Sequence, residues 1–144
     1  MKTVEKLKTI QADALTMFVK LHNLHWNIKG MQFYPIHEMT EGMYNSMATL
    51  YDDAAERVLQ LGDKPYVTMA DAIANSCINE ESKTEFNAQE VLESVLADFE
   101  HFLKHFNELS DIADEAGDKA TVGFADEQIA KFEKDIWMIK ASLA

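Results

Sequence analysis

Cysteine is almost missing from this chain. Cys77 is the only one in 144 residues, so no internal disulfide framework supports the fold. Proline stops at Pro35 and Pro65 and glycine at five residues, which leaves few points where a helix must break. No stretch approaches the ~18 to 20 apolar residues that a membrane span needs. The opening Met1-Lys2-Thr3-Val4-Glu5-Lys6 alternates charge with apolar residues and lacks a signal-peptide core, so the expected compartment is the cytoplasm. Basic residues are scarce as well: 13 against 25 acidic ones, a formal net charge of −12. Such a surface repels phosphate backbones and gathers cations, which weighs against nucleic acid as the main partner. Plain solubility is an equally good reason for it.

What is present is apolar and periodic. Hydrophobic residues make up 47% of the sequence, enough for a sizeable core in one domain spanning residues 1–144. Val4, Leu7, Ile10, Ala14, Met17, Leu21, Leu24 and Ile28 recur at steps of three and four, predicting a first helix that ends near Lys29-Gly30, with Gly30 as its cap. Pro35 suits the first turn of a second helix. Its stripe is Ile36, Met39, Met43, Met47, Leu50, Ala54, Val58 and Leu61, stopping at Gly62. These methionines read as core filler rather than metal ligands. Thr68 resembles a cap for a short helix over Met69–Asn75, and Asn87 with Glu90 forms a capping box for a third long helix that runs toward Gly117. A fourth follows Thr121, with Phe124, Ile129, Phe132, Ile136 and Ile139 inward. Two long helices, a crossover of roughly 25 residues with a short helix in it, then two more long helices give an all-α, ferritin-like four-helix bundle.

Bundles of that kind usually take iron on glutamates and two Glu-x-x-His motifs. This sequence has no Glu-x-x-His, and Asp98-Phe99-Glu100-His101 reads as an ordinary surface pair. Ligand-type residues gather instead on the first two helices: His22, His25, His37, Glu41, Asp52 and Glu56. His25 and His37 lie six residues either side of Met31, at equal height in an antiparallel pair, so both can reach one ion. On the second helix His37, Glu41, Asp52 and Glu56 fall near 0°, 40°, 60° and 100°, at about 100° per residue, and share one face. Asp52 nevertheless lies 15 residues beyond His37, roughly 22 Å along the axis at 1.5 Å per residue. One ion cannot touch both within one subunit, because its ligands sit about 2 Å away. Antiparallel pairing of this helix with a twofold-related copy would set each half against the other, giving two equivalent sites per dimer. Carboxylates with imidazoles suit redox-active iron, and zinc as a substitute ion, whereas a cysteine set would mean structural zinc. From spacing alone, buried hydrogen-bonded histidines beside a solvated acidic face remain the other reading.

The motifs themselves resemble a known family. His25-Trp26-Asn27-Ile28-Lys29-Gly30, followed by His37 and Glu41, is similar to the first signature of the Dps family of mini-ferritins. Asp52-Asp53-Ala54-Ala55-Glu56-Arg57-Val58-Leu59-Gln60-Leu61-Gly62 resembles the second. The likeness covers essentially the whole chain, through Pro65 and Ala70–Ile73 to Ile136–Ile139, and is greatest to the short, neutrophil-activating-protein branch.

That resemblance implies a hollow dodecamer with a ferroxidase centre at each twofold interface. His25 and His37 would come from one subunit, Asp52 and Glu56 from its partner. The family often has Asp where this chain has Glu41, a carboxylate one methylene longer. His22 matches no family ligand and reads as structural. The implied reaction is oxidation of Fe(II), preferentially by hydrogen peroxide, with ferric mineral kept in the cavity and the cell protected from oxidative damage. Trp26, Tyr44 and Tyr51 either accept stray oxidising equivalents or pack at an interface. Iron would enter through acidic threefold pores, for which Asp118, Asp126 and Glu127 are candidates, with Asp114 and Glu115 nearby. The alternative is a nucleoid-associated DNA-binding protector. Its usual lysine-rich arm is not evident, since Lys2, Lys6 and Lys8 are offset by Glu5 and Asp13. Twelve chains at −12 each would carry about −144, so DNA binding is expected to be weak or absent.

Overall fold

The computed structural model describes residues 1–144 as five helices without a sheet: α1 (Lys2–Asn27), α2 (Phe33–Gln60), α3 (Met69–Asn75), α4 (Ala88–Glu115) and α5 (Lys119–Leu143). α1 packs along α2 and α4 along α5, while the short α3 lies against α1. This is the ferritin-like bundle with its short crossover helix. No helix is long and apolar enough to cross a membrane.

The apolar stripes meet inside. Leu7, Ile10, Met17, Leu21 and Leu24 of α1 are fully enclosed, as are Phe99, Phe102 and Phe106 of α4. The last three surround Phe132 of α5 with ring centroids 5.1, 5.3 and 5.8 Å away. Each such ring contributes about 1.5–3 kcal/mol by leaving water. Met43 and Met47 are buried in the same core.

Local chemistry sets most helix ends. Asn87 and Glu90 make the reciprocal capping box, and the Thr68 hydroxyl accepts the Asp71 N–H. α2 and α4 end alike: Gly62 and Gly117 adopt φ of 86° and 72°, which frees the next N–H to turn back onto the helix. Asp63 donates to the Val58 carbonyl at 3.1 Å and Asp118 to that of Ala113 at 2.9 Å.

Two ends differ from expectation. α1 stops at Asn27, not at Lys29-Gly30, because Ile28 becomes extended and pairs with Phe86 in an isolated parallel bridge. Lys29 donates to the Phe86 carbonyl and Phe86 to that of Asn27, so Gly30 (φ 114°) serves the following turn rather than the helix. α5 starts at Lys119, before Thr121, because the Asp118 carboxylate accepts the Thr121 N–H at 3.1 Å.

The crossover climbs along α1 through successive ties. Gln11 exchanges two hydrogen bonds with the Tyr66 backbone. Asp13, fully buried, accepts from Ser76 Oγ and the Cys77 N–H with one oxygen and from His101 Nε2 with the other. The Asn23 amide donates to the Glu81 and Lys83 carbonyls. His101 is therefore not half of a surface pair with Asp98. It serves Asp13, while Asp98 meets Lys20 at 2.7 Å.

Candidate metal centre

Antiparallel packing of α1 on α2 places His25 and His37 face to face. Their rings stack with centroids 3.6 Å apart and planes 13° from parallel. Each ring uses Nδ1 to reach the other residue's backbone: His25 to the His37 carbonyl at 2.6 Å, His37 to the His25 carbonyl at 2.8 Å. A carbonyl only accepts, so both Nδ1 atoms carry the proton and both Nε2 atoms keep a lone pair for a metal. Thr40, buried one turn on, lies 3.1 Å from the same His25 Nδ1 and donates to the Ile36 carbonyl. Metal-binding imidazoles are typically oriented in this way by a carbonyl behind the ring.

Burial lowers the His25 pKa below its ordinary value, partly offset by its bond to His37 and by the nearby Glu41 charge. The imidazole thus stays neutral, and able to ligate, at a lower pH than a solvated histidine. Glu41 itself is exposed and does not complete a three-ligand cluster with the histidines. His22 donates Nδ1–H to the Phe18 carbonyl at 2.7 Å and stacks on Tyr44 at 3.8 Å.

The other end of α2 holds Asp52, Asp53 and Glu56, whose carboxylate oxygens can all lie within 4.8 Å of one another. All three are exposed. Asp53 was not among the expected ligands. Its place beside Asp52 and three residues before Glu56 was the available signal. The helix between the ends is unbroken, so the histidine and carboxylate groups stay roughly 22 Å apart within one chain.

Apolar surface adjoins this face. Leu15, Phe18, Ala48 and Tyr51 line a wholly apolar hollow between α1 and α2. Leu15 also borders a second hollow with Val19, Met69 and Ile73. Val19, Trp26, Met69 and Ile73 are about half to two-thirds exposed (51%, 66%, 67% and 49%).

The three pore candidates Asp118, Asp126 and Glu127 each have an intrachain partner. Asp118 binds Arg57 and Thr121, Asp126 accepts from Ser110 at 2.7 Å, and Glu127 pairs with Lys131 at 3.4 Å.

A model of the ferritin-like domain matches residues 4–144. The DNA protection during starvation protein of Helicobacter pylori is 48% identical over 144 residues, covering both chains completely. The chain belongs to the Dps family of ferritin-like proteins. Among solved structures, that of Helicobacter cinaedi CAIP superposes with a TM-score of 0.98 at 53% identity, covering 99% of each chain. Antigen TpF1 from Treponema pallidum superposes with a TM-score of 0.97 at 37% identity, over 99% of this chain and 91% of the other.

Proposed function

We propose that this chain is a ferroxidase and iron-storage subunit whose Fe(II) centres are each completed by two copies. His25 and His37 of one copy, with Glu41 beside them, face Asp52 and Glu56 of the other. The observation that carries this reading is the division of ligands along α2: an ordered histidine pair held between α1 and α2 at one end and an exposed carboxylate group at the other, too far apart to meet within a chain. The exposed apolar strip beside that face supports its being covered by a second copy. Such a twofold contact closes a dimer, and the dodecamer usual for the family would need a second kind of contact between these dimers.

In the reaction, two Fe(II) ions each give one electron to one hydrogen peroxide. The O–O bond breaks, both oxygens leave as water or hydroxide, and Fe(III) hydrolyses to oxyhydroxide with release of protons. No hydroxyl radical forms, which is the protective outcome. Zinc, which prefers the same nitrogen and oxygen donors, would occupy the centre without turnover. We place the activity in the cytoplasm.

A DNA-coating role is the second reading, motivated by the name of the Helicobacter pylori relative. A net charge of −12 per chain opposes it, and weak or absent DNA binding at neutral pH and moderate salt is the expected result. Saturating gel retardation at physiological salt would reverse that.

The central test is Fe(II) oxidation with peroxide by wild type and by a His25→Ala, His37→Ala double variant. Oxidation is expected to fall more than about 100-fold, since removing ligands exceeds the 10–100-fold cost of removing their supports. Equal rates would refute the site, and elution of the wild type as a monomer would refute the shared centre.

A further inference from the structure

Asp52, Asp53 and Glu56 have no side-chain partner elsewhere in the chain, so the backbone of α2 alone sets where their carboxylates begin. Leu50, Ala54 and Val58 seat that end of α2 in the core, and Arg57 adds its directed polar ties to the neighbouring helix. Its guanidinium makes three directed bonds: NH2 to Asp118 Oδ1 at 2.7 Å, Nε to Thr121 Oγ1 at 2.9 Å and NH1 to Gln60 Oε1 at 2.9 Å. The Thr121 hydroxyl donates in turn to Asp118 Oδ2 at 2.5 Å, closing a ring of three side chains. Thr121 is fully buried, and the Arg57 and Asp118 side chains are only 19% and 15% exposed. Asp118 is also the N-cap of α5, fixed by the turn at Gly117. All side-chain hydrogen bonds between α2 and the α5 segment come from Arg57. Elsewhere the two helices flank a groove lined by Ser46, Thr49, Gln128 and Lys131.

We infer that Arg57 is a positioning residue for the carboxylate half-site: its clamp on Asp118 and Thr121 fixes the last turns of α2, and thereby the aim of Asp52 and Glu56. The inference rests on the shared-centre reading above. The guanidinium is suited to this because its planar fork holds an orientation that a flexible ammonium does not. It also gives Asp118 a structural duty at the junction of α4 and α5. That junction and the carboxylate half-site are thereby one mechanical unit.

The test compares Arg57→Lys, Arg57→Met and Asp118→Asn with wild type as assembled protein. Two quantities are read: the Fe(II) concentration at half-maximal oxidation with peroxide, and Zn(II) affinity by calorimetry without peroxide. Arg57→Met and Asp118→Asn are expected to raise half-saturation and weaken Zn(II) binding by about 10-fold, the scale for removing a ligand's support. Maximal turnover should change less than half-saturation. Arg57→Lys restores the charge without the fork and should recover only part of the loss. Should Arg57→Met fail to assemble, the other two variants carry the comparison. Wild-type half-saturation and Zn(II) affinity in assembled Arg57→Lys and Asp118→Asn would overturn the inference. So would a drop in melting temperature with neither metal readout moved. The histidine double variant separates the two claims: if it oxidises iron like wild type, the shared-centre reading fails; if it is inactive while Arg57 variants behave normally, only this inference fails.

Discussion

The two ends of α2 present ligand-type side chains in opposite states. At the N-terminal end His25 is 5% exposed, its ring is stacked, and each histidine is locked by the other's carbonyl. At the C-terminal end Asp52, Asp53 and Glu56 stand in solvent with no bond to orient them. The difference follows from chemistry. A neutral imidazole tolerates burial and has a second nitrogen to spare for a support. A cluster of three carboxylates repels itself and cannot be desolvated without a cation. One half is therefore built in advance. The other is held only by its helix, and in the proposed centre the bound ion would supply the rest of its order.

The largest effect is expected from separating the two ligand groups onto different chains. His25→Ala, His37→Ala chains and Asp52→Ala, Glu56→Ala chains should each be inactive alone. Co-refolded, they should regain about a quarter of wild-type Fe(II) oxidation, because half of randomly paired dimers are mixed and each mixed dimer holds one intact centre of two. No recovery would mean that the halves never serve a common ion.

A smaller effect is expected from loosening the ordered half. Thr40→Val removes the oxygen 3.1 Å from His25 Nδ1 but leaves the His37 carbonyl bond at 2.6 Å. The loss should be near that of one neutral hydrogen bond, about 1 kcal/mol, or about fivefold in metal affinity by calorimetry. A loss as large as that of the double histidine variant would make Thr40 more than a support.

The smallest effect concerns acid stability at the other end. Burial raises the Asp118 pKa, but the bonds from Thr121 and the Arg57 guanidinium outweigh it and hold the carboxyl below its ordinary value. The folded state thus binds fewer protons there than the unfolded chain. The stability that this lends is complete above the ordinary carboxylate range and is lost as pH falls through the lowered pKa. Asp118→Asn should therefore flatten the fall in melting temperature below about pH 4. An unchanged acid limb would show that the clamp adds no stability through ionisation.

Much of the fold is written in short-range signals. Three- and four-residue spacing marked the buried faces, and Thr68, Asn87, Gly62 and Gly117 encode their helix ends within four residues. The end of α1 was not legible, because Phe86, far along the chain, decides it by pairing with Ile28. The candidate site divides in the same way. Equal height of His25 and His37 follows from counting residues about the turn, and the separation of the two ligand groups from helical rise. The tautomers do not follow, since they depend on which carbonyl meets which ring. Thr40, Arg57 and Thr121 could not be singled out because their partners lie on other helices or across the α1–α2 turn. His101 misled for the same reason: its sequence neighbour Asp98 is irrelevant to it, and its partner Asp13 is on α1.

The crossover bears on how the chain survives being cut. Much of Ser76–Glu85 is exposed, and it is the natural place for a protease to act. Yet both sides of a break after Lys83 stay moored to α1, the upstream side at Asp13 and Asn23 and the downstream side at Asn27 and, just past the helix, at Lys29. A nick there would sever the covalent backbone without freeing either half of the bundle. Integrity of the fold is thus carried by α1 as a common spine, and the length of an intact polypeptide is a poor guide to whether the bundle still stands.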